Sequence, residues 1–473
     1  MDGTDIHRDD AGTADNRGKD GRGAVRGELH EGEPMAVTVT SVQPYWDLTF
    51  DADGDPDPRL RDALLAAVHD RTDLVVFSHG WNNDISTASE LYDRFFAPFP
   101  GLLTASPADR FGFVGVHWPS MRFSDEPIPD FPHTALAAPA GGGDALDPRA
   151  RTALARVFPG HGADLDRIAA LLAERPAAPE RVAEFAGLVR GLTGTTPESA
   201  AGEFAEDLGG AAGAEPLMLT DDAVTMCRAL ADALEQAGAE VAPDEPGPAL
   251  FGGIGKRVWD GAHELLRQAT YYSMKRRAGS VGQLGLGPVL GQVARKAPGM
   301  RIHLVGHSFG ARLVSFALRG LPATVRVTSV TLLQGAFSHY AFSGPLPFDA
   351  KGGALHGMQQ RVTGPVVACH SSHDQALGVL YPVASRLAGD DRSLLGFGDK
   401  WGALGHDGFQ SLAGAPAMSL ADALGGPFPG SGCVSVDASA VVCGGGPPSG
   451  AHSDICHEEL ARLVLRAAGR IPG

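Results

Sequence analysis

An α/β fold, with a mostly parallel central sheet flanked by helices and a large helical insertion, is what this sequence predicts. Three observations carry that expectation. Short β-branched runs alternate with helix-period segments in the first quarter of the chain and again after residue 300, the pattern of strand–crossover–strand units in a parallel sheet. The alternation breaks between Pro119 and about Gly285, where helical patterns succeed one another without a convincing strand. A strand, the pentapeptide Gly306-His307-Ser308-Phe309-Gly310 and a helix then follow directly on one another.

Taken in order, residues 1–34 are polar, charged and Gly-rich, the composition of a disordered tail. Ala36 to Thr40 alternates as a strand, and Arg59 to Asp70 has helical period. Asp73 to Ser78 is a buried-strand run that ends in His79-Gly80-Trp81. A helix over about Ser86 to Phe96 and a strand from Phe111 to Trp118 follow. The insertion carries helical patterns at Asp147–Phe158, Ala163–Glu174, Pro179–Thr193, Pro197–Leu208, Asp221–Ala237 and Arg257–Arg277, with no internal repeat. After the pentapeptide come strands at Val325–Leu333 and Gly364–His370, an irregular Gly-rich stretch over 385–432, a last strand or ribbon from Cys433 to Val442, and a final helix from Ile455 to Ala468. The expected organisation is a tail (1–34), a core in two pieces (35–120 and 284–473) and a helical insertion (121–283) placed to act as a lid or cap.

Composition narrows the function. A chain of 473 residues with 43% hydrophobic and 20% charged content is globular in type. A formal net charge of −17 disfavours nucleic acid and anionic lipid as partners. No run approaches the roughly 18 apolar residues of a membrane span, and Met1-Asp2-Gly3-Thr4-Asp5 shows no secretory pattern. Five cysteines without C-x-x-C spacing read as free thiols in a reducing cytoplasm, with Cys433 and Cys443 the one pair placed to approach each other. His7-Arg8-Asp9 lacks the other parts of a kinase loop, and the passage Gly252 to Arg257 lacks the first glycine and the hydroxyl residue of a phosphate loop.

The chemistry-bearing residues concentrate at strand ends. Strand, G-x-S-x-G and helix make a sharp turn that lifts Ser308 above the sheet. A serine hydroxyl needs a base, and the base needs a group that holds its tautomer. Asp374 lies just past the strand ending at His370; His452 lies in a loop before the final helix. Asp437 is the rival acid and His457 the rival base. His370, His373 and Asp374 are close enough in sequence to raise a metal site, but they follow a strand, and no metal is expected. Asp454 fits helix capping.

On the His79-Gly80-Trp81 strand end, the Gly306–Gly310 turn, the strand-end Asp374 and the His452-Ser453-Asp454-Ile455 turn, the chain resembles the α/β-hydrolase superfamily over about residues 36–120 and 284–470. The resemblance implies a serine hydrolase acting on an ester-type acyl bond: Ser308 as nucleophile, His452 as base, Asp374 as acid, and the Trp81 and Phe309 N–H groups as oxyanion donors. His79, Gly80, Trp118 and Phe337 are expected around the substrate, a small acyl compound, with an apolar pocket and no cofactor. Thioesterase, amidase or peptidase activity stays open within this class, as does a non-catalytic binding module of the same fold.

Overall fold

Two buried apolar faces explain the layering of the molecule. Along each central strand, alternate residues belong to different hydrophobic clusters: Leu74 and Val76 to one, Val75 and Phe77 to the other; Val366 and Ala368 to one, Val367 and Cys369 to the other. With side chains alternating at period two, a strand apolar on both faces must be covered on both, and helices do the covering.

The structure is a computed structural model. It describes residues 39–81, 83–105, 110–121, 146–193, 207, 222–243, 255–346, 351–381 and 402–472. Its sheet has eight strands: β1 (Tyr45–Thr49), β2 (Asp73–Ser78), β3 (Phe111–His117), β4 (Arg301–His307), β5 (Ser329–Leu333), β6 (Pro365–His370), β7 (Ala417–Ser419) and β8 (Gly432–Asp437). Their spatial order is β1-β3-β2-β4-β5-β6-β8-β7. Every neighbouring pair runs parallel, so the sheet is wholly rather than mostly parallel. Residues 36–473 form one compact unit.

The helices, in chain order, are α1 (Pro58–Ala67), α2 (Ile85–Phe96), α3 (Phe99–Leu102), α4 (Pro148–Val157), α5 (Gly162–Glu174), α6 (Pro179–Thr193), α7 (Ala223–Gln236), α8 (Lys256–Ser280), α9 (Gly287–Lys296), α10 (Phe309–Gly320), α11 (Leu404–Asp407), α12 (Leu420–Gly425) and α13 (Glu458–Ala467). One face of the sheet meets α2 and α13, through Leu91, Phe95, Phe96, Leu460, Leu463 and Val464. The other face meets α9 and α10, and its cluster continues into α4 to α8 through Leu154, Ile168, Phe185 and Trp259. The helices between β3 and β4 therefore share their apolar interior with the sheet. Asp57, Asp84, Asp147 and Asp222 cap α1, α2, α4 and α7 by accepting backbone N–H groups of the first turn.

Several boundaries differ from those expected. Among the described residues the first strand is Tyr45–Thr49; of the expected strand at Ala36–Thr40, Val39 and Thr40 are not in a strand, and residues 36–38 lie outside the described residues. Pairing with β3 sets the Tyr45–Thr49 strand, a long-range contact that local alternation does not reveal. Residue 283, the expected end of the insertion, falls within a π-helical turn (Val281–Leu286) that joins α8 to α9 in one helical run. In the stretch expected to be irregular, α11, β7 and α12 are ordered; β7 is only three residues long and is held by β8. The expected tail, most of the expected helix at Pro197–Leu208, and Trp401 lie outside the described residues. No helix among those described is long and apolar enough to cross a membrane, and all five cysteines are free thiols.

Candidate active site

The turn between β4 and α10 is built from close approaches. Ser308 has φ 55° and ψ −119°, a backbone state that costs a non-glycine residue about 1–3 kcal/mol and persists only where the surroundings impose it. A side chain at Gly310 would overlap the carbonyl oxygens of Ser78 and His79, and one at Gly80 would stand 2.7 Å from Ser308 Cβ. These two glycines let the end of β2 lie directly against the turn. Ser308 is thereby held at the N-terminus of α10, 5% exposed.

Two further turns meet it. His452 Nε2 lies 2.9 Å from Ser308 Oγ, and His452 Nδ1 lies 2.8 Å from Asp374 Oδ2. Asp374 is fully buried; its other oxygen accepts the Leu377 N–H at 3.0 Å. The segments carrying the acid and the histidine are bridged antiparallel at Asp374 and Gly450, and Ala451 N–H donates to the His373 carbonyl at 2.9 Å. Gly450 takes φ +60° there. The order serine, imidazole, carboxylate thus forms one hydrogen-bonded line across three loops at the carboxyl ends of β4, β6 and β8.

The rival residues are occupied elsewhere. Asp437, at the end of β8, accepts from Ser439 N at 2.9 Å and Ser439 Oγ at 2.6 Å. His457 pairs with Asp454 at 2.7 Å. Asp454 does not cap α13, whose N-cap is His457; it accepts the Cys443 and Gly444 N–H groups instead. Among the described residues no group of His, Cys, Asp or Glu side chains is arranged to hold a metal ion.

Of the other expected site residues, His79, Gly80, Trp81 and Trp118 lie just past the ends of β2 and β3, Phe309 opens α10, and Phe337 follows β5. His79 stacks on Trp118 with ring centroids 5.5 Å apart, Trp118 Nε1 donates to the His79 carbonyl at 3.0 Å, and His79 Nδ1 meets the Gly80 carbonyl at 2.8 Å. Burial, reinforced by the neighbouring His117, lowers the His79 pKa to about 3, so the ring is neutral and serves as a packed, hydrogen-bonded prop. Trp81 and Phe309 stand side by side, centroids 6.3 Å apart. Phe309 N–H opens α10, where first-turn N–H groups have no intrahelical acceptor. Phe337 is fully buried beside Phe342.

Three further contributors were not among the expected site residues. His307 donates from Nε2 to the His452 backbone carbonyl at 2.8 Å. Asn83 Nδ2 donates to the carbonyls of Gly80 and Trp81 at 3.3 and 3.1 Å, fixing the peptide that carries the expected oxyanion donor. Tyr271, from α8, lays its ring 4.6 Å from Phe309 and 5.5 Å from Trp81. The first was visible as the variable residue of a pentapeptide; the other two depend on contacts between distant segments.

The same three residue types recur at the opposite end of the sheet. His303 joins Ser329 Oγ at 2.9 Å and Asp73 at 3.0 Å. All three are sealed, at 1% exposure or less, and Arg301 clamps Asp73 with two bonds. Connectivity alone therefore does not make a site; access and the strained turn distinguish Ser308. No protein-family model, no curated protein and no solved structure matches this chain.

Proposed function

We propose that the protein is a serine hydrolase of the α/β-hydrolase type that cleaves an ester-type acyl bond. The observation that carries this reading is the hydrogen-bonded line Ser308–His452–Asp374, with Ser308 in a positive-φ turn at the carboxyl end of a central parallel strand. In such sheets functional loops collect at that end.

In the proposed reaction Ser308 Oγ attacks the substrate carbonyl as its proton passes to His452 Nε2. Asp374 holds the Nδ1–H tautomer and stabilises the imidazolium. The Trp81 and Phe309 N–H groups receive the negative charge that develops on the carbonyl oxygen. As the tetrahedral adduct collapses, the C–O bond to the alcohol breaks and His452 returns the proton to the leaving oxygen. Water, deprotonated by the same imidazole, then attacks the acyl-serine; collapse frees the acid and restores Ser308. The helices between β3 and β4 are proposed to border the acyl-binding region, since Tyr271 of α8 packs on both Trp81 and Phe309.

The test is a fluorophosphonate probe followed by a panel of chromogenic esters of graded acyl length. Covalent labelling at Ser308 with ester turnover supports the reading. A protein that folds, takes no label and turns over no ester is a binding module instead.

A further inference from the structure

Tyr271 has a property that its role as an aromatic wall does not account for. Its ring is placed between Phe309 (4.6 Å), Trp81 (5.5 Å) and Tyr381 (6.4 Å), yet its hydroxyl is buried and makes no hydrogen bond to any described residue. A buried hydroxyl without a partner is destabilising, and folded proteins keep few of them.

The carboxylate that acts most strongly on the Tyr271 phenol, Asp207, is already bonded on both oxygens. Asp207 takes Arg312 on one oxygen; on the other it takes Lys275 at 2.7 Å, Tyr381 Oη at 2.9 Å and the Ser338 N–H at 3.0 Å. Of two neighbouring tyrosines, Tyr381 spends its hydroxyl on this cluster and Tyr271 does not. Tyr271 and Lys275 are one turn apart on α8, hence on the same side of the helix, so the region beside Phe309 is bordered by charged and hydroxyl groups as well as by rings. Burial, then the charge of Asp207, keep the Tyr271 phenol well above its ordinary pKa; Arg312 opposes this and Asp374 adds to it. The group is therefore a neutral O–H donor throughout the working pH range.

We infer that Tyr271 Oη donates a hydrogen bond to a polar atom in the acyl half of the substrate, so that the preferred substrates are esters whose acyl chain carries an oxygen close to the carbonyl rather than plain alkanoyl esters. The inference rests on the proposed hydrolase reading. It replaces the wholly apolar acyl pocket that the sequence leads one to expect. A site built to bond a polar atom discriminates strongly against the analogue that lacks it, because its own group is then left unpaired.

The experiment compares p-nitrophenyl methoxyacetate with p-nitrophenyl butyrate, which share shape and leaving group and differ by an ether oxygen in place of one methylene. Their rates with hydroxide set the intrinsic reactivity ratio. The wild-type protein should exceed that ratio in kcat/KM by about ten- to a hundredfold. In Tyr271→Phe, which keeps the ring packing, the excess should collapse towards the hydroxide ratio. A wild-type ratio equal to that of hydroxide overturns the inference without any variant, and so does a Tyr271→Phe protein that retains the full excess. If Ser308 takes no fluorophosphonate and neither ester is turned over, the hydrolase reading itself fails and this inference falls with it. Labelling together with an unexceptional ratio removes the Tyr271 role alone.

Discussion

His307 Nε2 donates to the backbone carbonyl of His452 at 2.8 Å, so the residue immediately before Ser308 holds the loop that carries the histidine facing Ser308. Burial, with the adjoining His452 ring second, lowers the His307 pKa to about 3. The ring is neutral, and with Nε2 donating, Nδ1 is left as the bare nitrogen. One strand end thus positions both members of the Ser308–His452 pair, and an error in one is carried to the other.

Under the proposed chemistry, His307→Phe should lower kcat by about ten- to a hundredfold through misplacement of the His452 loop. His307→Gln, which retains a side-chain donor, should recover part of the loss. Steady-state kinetics of the two variants check this, with thermal melts showing whether stability follows. Equal losses in both would detach the effect from the hydrogen bond.

Ser308→Ala should abolish fluorophosphonate labelling and lower ester turnover by about 10⁶-fold. The fold should persist, because Ala occupies the same space and the neighbouring glycines that permit the turn are untouched. Mass spectrometry of the labelled protein, alongside circular dichroism, reads both outcomes. Persistent labelling in this variant would place the nucleophile elsewhere.

Asp374→Asn should lower kcat by about 10²–10⁴-fold, since an amide facing Nδ1 favours the wrong tautomer. Asp437→Asn should leave kcat within about twofold, because the Asp437 carboxylate bonds to Ser439 rather than to His452. Parallel kinetics of the two variants decide between the carboxylates.

Asp207 is buried with Arg312 and Lys275. Burial by itself would raise its pKa, but the two cations prevail and bring it to about 2. A carboxylate depressed from the ordinary value near 4 contributes stability above that value and loses it as pH falls towards 2. Urea denaturation between pH 7 and 2 should therefore show stability falling below about pH 4, with a smaller fall in Asp207→Asn. At neutral pH that variant should be less stable by about 3–5 kcal/mol, because two buried cations lose their counter-charge. A flat acid profile in the parent would exclude Asp207 from the linkage.

What the sequence determined by itself is what depends on local periodicity and local turn chemistry. Alternating apolar runs and helical periods defined an α/β protein with a parallel sheet, and most strand positions follow from them. The Gly306–Gly310 passage marked the turn at Ser308, because only small residues tolerate its contacts with β2. The positions of Asp374 and His452 at strand-end loops were legible from the same patterns. Tertiary structure alone decided the rest. It selected Tyr45–Thr49 as the edge strand and Ala417–Ser419 as an additional one, since strand pairing is a property of two segments. It brought His452 to Asp374 through the bridge between Asp374 and Gly450, while Asp437 is taken by its chain neighbour Ser439. It joined α8 to α9 through a π-helical turn across an expected domain boundary and set Tyr271 against Phe309. The strand pairings, the Asp374–Gly450 bridge and the Tyr271–Phe309 contact join residues far apart in the chain, and the energy that selects them comes from burial and hydrogen bonding that exist only once the sheet and its covering helices have assembled.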